Sequence, residues 1–168
     1  IPEQLAKENR KFVFSRVKKG LRSKDLEDAL EWLISAGLAY KVIKIEKPFI
    51  PLSSYADQTF FKLYLADIGL LRKMAGVPAQ IVYEKNPLYK EFKGAMTENY
   101  VLSELIAMQE KPPFFWRSDN EAEVDFVMQL GKDIVPIEVK SEDNDKAKSL
   151  SVYRKKYNPA ISIITEMD

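Results

Sequence analysis

Residues 121–140 read EAEVDFVMQLGKDIVPIEVK, and this stretch constrains the fold more than any other. Two short apolar segments flank a turn containing Gly131, and each carries charge inside it. β-branched runs of this length on either side of a glycine turn predict a strand hairpin. Side chains alternate faces along a strand. Glu123 and Asp125 are therefore expected on one face of the first strand, and Glu138 and Lys140 on one face of the second. An acid followed by Glu-x-Lys on the next strand suits a divalent metal held beside an ammonium group. That combination serves metal-dependent phosphodiester hydrolysis.

Composition narrows the chemistry. The 168 residues are 46 % apolar and 30 % charged, ordinary values for a globular protein with a core of its own. No run approaches the ~18 apolar residues of a membrane span, and no signal-peptide pattern opens the chain. No membrane association is expected, and the expected compartment is the cytoplasm. The chain has no Cys and no His. Disulfides, thiolate metal sites, His-dependent nucleophiles and His-ligated zinc are all excluded. Any metal must be held by oxygen, which points to Mg²⁺ or Mn²⁺.

The net charge of +1 is unremarkable, but the charge is unevenly spread. Residues 1–24 carry eight basic side chains against Glu3 and Glu8. Residues 146–156 carry Lys146, Lys148, Arg154, Lys155 and Lys156 with no acid. Such segments are either phosphate-facing or solvated helix faces. On the first reading Lys146 and Lys148 are candidate phosphate ligands.

Ser23 is a good N-cap, and Leu26, Leu30, Leu33 and Ile34 follow at helical spacing until Gly37. Residues 38–46 alternate as a strand, residues 47–58 form a proline-marked loop, and residues 60–66 form a second strand. Helices followed by a two-strand ribbon predict a winged-helix-like unit over residues 1–76. Its helix 23–36 carries Asp25, Glu27, Asp28 and Glu31, so phosphates would be repelled there. This unit is expected to pack or to contact a partner rather than to read sequence. A short helix runs from Asp67 to Gly76, and Pro78 marks the boundary. Residues 77–168 then read as an extended piece (80–83), a long helix (90–110), three strands (114–118, 122–129 and 133–140), a helix (146–156) and a strand (160–164). The expected class is α/β, a mixed sheet flanked by helices.

At about 100° per residue, Glu98 falls inside the apolar stripe of Ala95, Val101, Leu102, Leu105 and Ile106. A carboxylate facing a core is costly unless it is paired or binds a metal. A helix packed on the sheet would bring Glu98 towards Asp125 and Glu138, and clustered carboxylates call for a cation.

Glu98, Asp125 and Glu138-Val139-Lys140, on this order of elements, resemble the PD-(D/E)xK nuclease superfamily, whose fold is restriction-endonuclease-like. The phrases FKLYLADIGLL (61–71), GAMTENYVLSEL (94–105), FFWRSDNEAEVDFV (114–127) and IEVKS (137–141) are similar to a C-terminal domain of bacterial and archaeal AAA-type ATPases. The opening IPEQLAKENRKF is similar to the region after the ATPase lid. The resemblance implies an AAA ATPase domain N-terminal to residue 1, in keeping with the Ile-Pro start. It implies a metal-dependent endonuclease with Glu98, Asp125 and Glu138 as metal ligands and Lys140 as the catalytic cation. Glu123 is either a further ligand or the partner of Arg117 across the hairpin, and Arg117 is a candidate phosphate contact. The expected partners are nucleic acid and that ATPase domain, and a homo-oligomer is compatible. The chain has no G-x-x-x-x-G-K-[ST] loop, so no nucleotide-cofactor site is expected in it. The alternative is a non-catalytic binding or assembly module that keeps the nuclease-like fold.

Overall fold

The computed structural model describes residues 12–13, 23–83, 90–119, 122–140 and 147–166. Most of the basic segment 1–24 lies outside these residues, as does Lys146. The described elements are α1 (Ser23–Ser35), β1 (Ala39–Ile45), a 3₁₀ turn (Leu52–Tyr55), β2 (Ala56–Leu65), α2 (Ile68–Met74), α3 (Ala79–Tyr83), α4 (Lys90–Gln109), β3 (Phe114–Arg117), β4 (Glu123–Leu130), β5 (Asp133–Lys140), α5 (Ala147–Tyr157) and β6 (Ile163–Glu166). The class is mixed α/β. The strands form one six-stranded sheet in the order β2-β1-β3-β4-β5-β6. β1 runs parallel to β3, and β5 runs parallel to β6. β3–β4 and β4–β5 are antiparallel. Among the described residues no helix is long and apolar enough to cross a membrane.

Local chemistry sets the element ends. Gly37 takes φ +69°, and its N–H reaches the Ile34 carbonyl while the Leu38 N–H reaches Leu33. This double closure is a Schellman cap, which needs a left-handed residue after the helix. Asp67 caps α2 by accepting the Leu70 N–H at 2.6 Å. Gly131 at φ +61° makes the tight β4–β5 connection, with Leu130 paired to Asp133.

Three elements differ from expectation. β2 starts at Ala56 rather than Phe60, because its first four residues lie outside the core and carry no apolar alternation. Residues 79–83 form a helical turn, not an extended piece. Five residues are too few to separate the two periods, and Pro78 presets the backbone for a helix start. The last strand is 163–166 rather than 160–164, because its register is set by β5, with Ile163 beside Ile137 and Glu166 beside Lys140.

The chain divides into two compact units, residues 1–41 with 62–103 and residues 42–61 with 104–168. In the first unit Leu30, Leu63, Tyr64, Leu65, Leu71, Met96 and Leu102 are buried. Asn99 clasps β2 there. Its side-chain oxygen accepts the Leu65 N–H at 2.9 Å, and its amide donates to the Leu65 carbonyl at 2.8 Å.

In the second unit α5 packs against β4 and β5. Its core joins Ile45, Leu52, Trp116, Val124, Val127, Leu150 and Tyr153. Trp116 meets Tyr153 and Tyr157 edge-on at 5.2 and 5.7 Å between ring centroids. Each large side chain so buried contributes roughly 1.5–3 kcal/mol. The Tyr153 hydroxyl is buried with no hydrogen-bond partner among the described residues. Burial, and Tyr157 beside it, push this phenol above its ordinary range.

The carboxyl ends of β1, β3, β5 and β6 and the amino end of β4 lie at one end of the sheet, by the strand directions alone. The candidate residues of the second unit gather at that end.

Candidate functional site

Asp125 sits in a β-bulge. Trp116 pairs with Val124 and Phe114 with Val127, so two steps on β3 match three on β4. The extra residue falls at Asp125-Phe126. This is why Val124 and Val127, three apart, enter the same buried cluster. The strict alternation expected through 123–127 is broken at this point. Bulges re-aim side chains and concentrate near active sites. Here the Asp125 carboxylate turns towards β5, where its Oδ2 accepts the Val139 N–H at 2.9 Å. A charge-assisted bond of this kind contributes about 1.5–3 kcal/mol.

Val139 is the middle residue of Glu138-Val139-Lys140. β5 keeps continuous register with β6 from Ile137 to Lys140, so Glu138 and Lys140 share a face as expected. One step beyond the Phe126–Ile137 pair, the two strands carry Asp125 and Glu138. Asp125 is 3 % exposed, Glu138 is fully buried, and Lys140 is half-buried. The second unit thus holds two acids on neighbouring strands with an ammonium group two residues along.

Glu123 pairs with Arg117 in the β3–β4 register, and their side chains form an ion pair at 3.8 Å. The Arg117 guanidinium also lies 6.0 Å from the Phe60 ring centre. Lys148 is exposed on α5.

Glu98 belongs to the first unit, whereas Asp125, Glu138 and Lys140 belong to the second. It is buried, as its place in the apolar stripe requires. Lys62 Nζ lies 3.9 Å from its Oε1, and the Tyr64 hydroxyl donates to Oε2 at 3.4 Å. Lys62 is 1 % exposed. Sequence reasoning missed this lysine. The available signal was a cation inside the apolar run Phe61-Lys62-Leu63-Tyr64-Leu65, two residues from Tyr64 and so on its face of the strand.

Among the described residues no group of three or more Asp, Glu, His or Cys side chains is placed to hold a metal ion. Asp125 and Glu138 occupy adjacent positions on neighbouring strands, one step beyond the Phe126–Ile137 pair. Mg²⁺ is commonly bound through one or two carboxylates plus substrate oxygens, so two hard-oxygen donors fit it, in a chain without His or Cys.

Comparison with known proteins gives two domain matches. Residues 1–81 match a domain of unknown function, DUF8612. Residues 93–167 match another domain of unknown function, DUF4143, which is commonly found C-terminal to AAA-ATPase domains. Among curated proteins, the chain is similar to uncharacterized proteins of Mycobacterium bovis and Mycobacterium tuberculosis. Each is 34 % identical over 70 residues, or 41 % of this chain. The match spans 15 % of the length of those relatives. No solved structure matches. The chain thus carries sequence similarity to two domains of unknown function, the second of which covers Glu98, Asp125, Glu138 and Lys140.

Proposed function

We propose that the second unit is a restriction-endonuclease-like domain that hydrolyses phosphodiester bonds in nucleic acid with Mg²⁺ or Mn²⁺. We further propose that it serves a longer protein with an AAA-type ATPase domain before it. The observation that carries this reading is the tie between Asp125 and the Glu138-Val139-Lys140 strand. A bulge and a hydrogen bond to the Val139 amide hold one buried acid against the strand that carries the other. A sheet with a purely structural role has no need to bury two acids at adjacent positions of neighbouring strands.

Asp125 and Glu138 would hold the cation. Such a cation, when bound, polarises the phosphate and acidifies a water molecule. The Val139 amide fixes the Asp125 rotamer, so its position is prepared before substrate arrives. Lys140 presents an ammonium group on the Glu138 face, suited to donating to phosphate oxygens as negative charge grows on them. The DUF4143 match supports the ATPase context, because that domain commonly follows such ATPases.

A second reading is a non-catalytic binding or assembly module. It is favoured by the structural duties of two of the acids, since Glu98 is paired with Lys62 and Asp125 is bonded to Val139. Cleavage assays separate the two. The full chain should cleave DNA or RNA with Mn²⁺ or Mg²⁺, and not with Ca²⁺ or a chelator. Asp125→Asn keeps a hydrogen-bond acceptor for Val139 but removes the charge, and should lower the rate by at least ~10²-fold. Lys140→Ala should do the same, with the double variant little worse than the poorer single one. Cleavage unchanged in Asp125→Asn would refute the assigned site. A folded protein that cleaves nothing would favour the second reading.

A further inference from the structure

The second unit has a cleft of about 410 Å³ that the candidate carboxylates do not line. Its walls come from the end of β1 and the loop after it, the end of β3 and the turn after it, and the end of α5. β1 and β3 are parallel neighbours, so the cleft opens at the carboxyl ends of a parallel pair. In open α/β sheets ligands bind in such crevices.

Four basic side chains reach it, Lys44, Lys47, Arg117 and Lys156, against the acids Glu46 and Asp119. The excess is cationic on a chain whose net charge is only +1. Three of the cations are steadied by aromatic rings. Lys44 Nζ lies 5.3 Å from the Phe60 ring centre, and Arg117 lies over the same ring at 6.0 Å. Lys156 Nζ lies 5.8 Å from the Trp116 ring centre and 5.3 Å from that of Tyr157. Cations steadied before binding lose less side-chain entropy on meeting an anion.

An exposed aromatic completes the cleft. Phe49 is 50 % exposed, although Phe is normally among the most buried residue types. Edge-on contacts hold it, at 5.7 Å to Tyr55 and 6.5 Å to Tyr157. A rigid half-exposed ring beside a cluster of cations is the pairing that binds unstacked bases and their phosphates.

We infer that this cleft binds single-stranded nucleic acid, with phosphates on Lys44, Lys47 and Lys156 and a base stacked on Phe49. A duplex keeps its bases stacked on one another and offers Phe49 no free face. The inference rests on the same class of partner as the proposed function, but on different residues.

The test is anisotropy of a labelled single-stranded oligonucleotide of about ten nucleotides with the full chain, in chelator. No cleavage occurs there, so a missing nuclease activity leaves this test intact. Binding should weaken with salt, and the slope of log affinity against log salt should fall by about 0.7 for each lysine removed. Lys47→Ala and Lys156→Ala should each weaken binding several-fold. Phe49→Ala should weaken it about tenfold without changing the salt slope. Lys132→Ala, an exposed lysine in the β4–β5 turn and outside the cleft lining, should bind like the unaltered chain. Duplex of the same length should bind more weakly than single strand. The inference is overturned if single strands do not bind at low salt, if duplex binds equally well, or if Phe49→Ala and Lys47→Ala leave affinity unchanged.

Discussion

Glu98 in the first unit and Asp125 with Glu138 in the second are buried alike, at 6, 3 and 0 % exposure, but their surroundings differ in kind. Glu98 has a buried cation of its own, Lys62, and a tyrosine hydroxyl. Opposite charges meet inside one unit, next to the Asn99 clasp on Leu65. In the second unit two acids occupy neighbouring strands, one bonded to backbone, with a half-buried lysine further along. The first arrangement explains its own burial. The second places two buried acids near the end of the sheet where the parallel strands finish, which is where ligands enter folds of this class. A carboxylate in an apolar stripe therefore has two physical solutions, and its immediate partners distinguish them.

The largest effect on stability should come from breaking the first solution. Lys62→Ala leaves Glu98 buried without that cation and should destabilise the protein by about 3–5 kcal/mol in urea unfolding. Lys62→Met combined with Glu98→Gln should cost clearly less than the two single changes added together, which a double-mutant cycle will read. A loss below about 1 kcal/mol for Lys62→Ala would place the pair among weak surface-like contacts and blur the contrast. Asp125→Asn, by comparison, should change function more than stability.

Much of this was legible in the sequence. The hairpin 123–140, the long helix, the turn at Gly131 and the cap at Gly37 follow from periodicity and turn chemistry, and the structure has them. The burial of Glu98 was also legible, because a helical stripe fixes direction. The lysine inside the apolar run 61–65 marked a buried cation, but its pairing with Glu98 was not legible, since the two lie far apart in sequence and only tertiary packing brings them near. The bulge at Asp125 left no mark either, because nothing in Glu-Val-Asp-Phe-Val says which residue goes unpaired. The parallel pairing of β1 with β3 was hidden for the same reason, and with it the cleft at their ends. Long-range pairing is a property of the whole sheet, not of either strand.

The smallest expected effect concerns Tyr153, in the shared core of β3, β4 and α5. Its buried hydroxyl has no partner among the described residues, so Tyr153→Phe should be neutral or stabilising by up to about 1 kcal/mol. The folded-state pKa is raised, so the unfolded chain gives up its proton first as pH climbs. This contribution to stability is complete below the unfolded value of about 10 and is lost as pH rises above it. The Phe variant should lose less stability than the unaltered chain over that alkaline window, in urea titrations at several pH values. Equal losses would mean that Tyr153 ionises as freely folded as unfolded.

The contrast between the two units is tested most directly by titrating Mn²⁺ into the full chain by calorimetry. The account predicts one site that disappears in Asp125→Asn and persists in Glu123→Gln, since Glu123 is the partner of Arg117. Binding that survives Asp125→Asn, or no binding to the unaltered chain in the presence of a nucleic-acid strand, would contradict it.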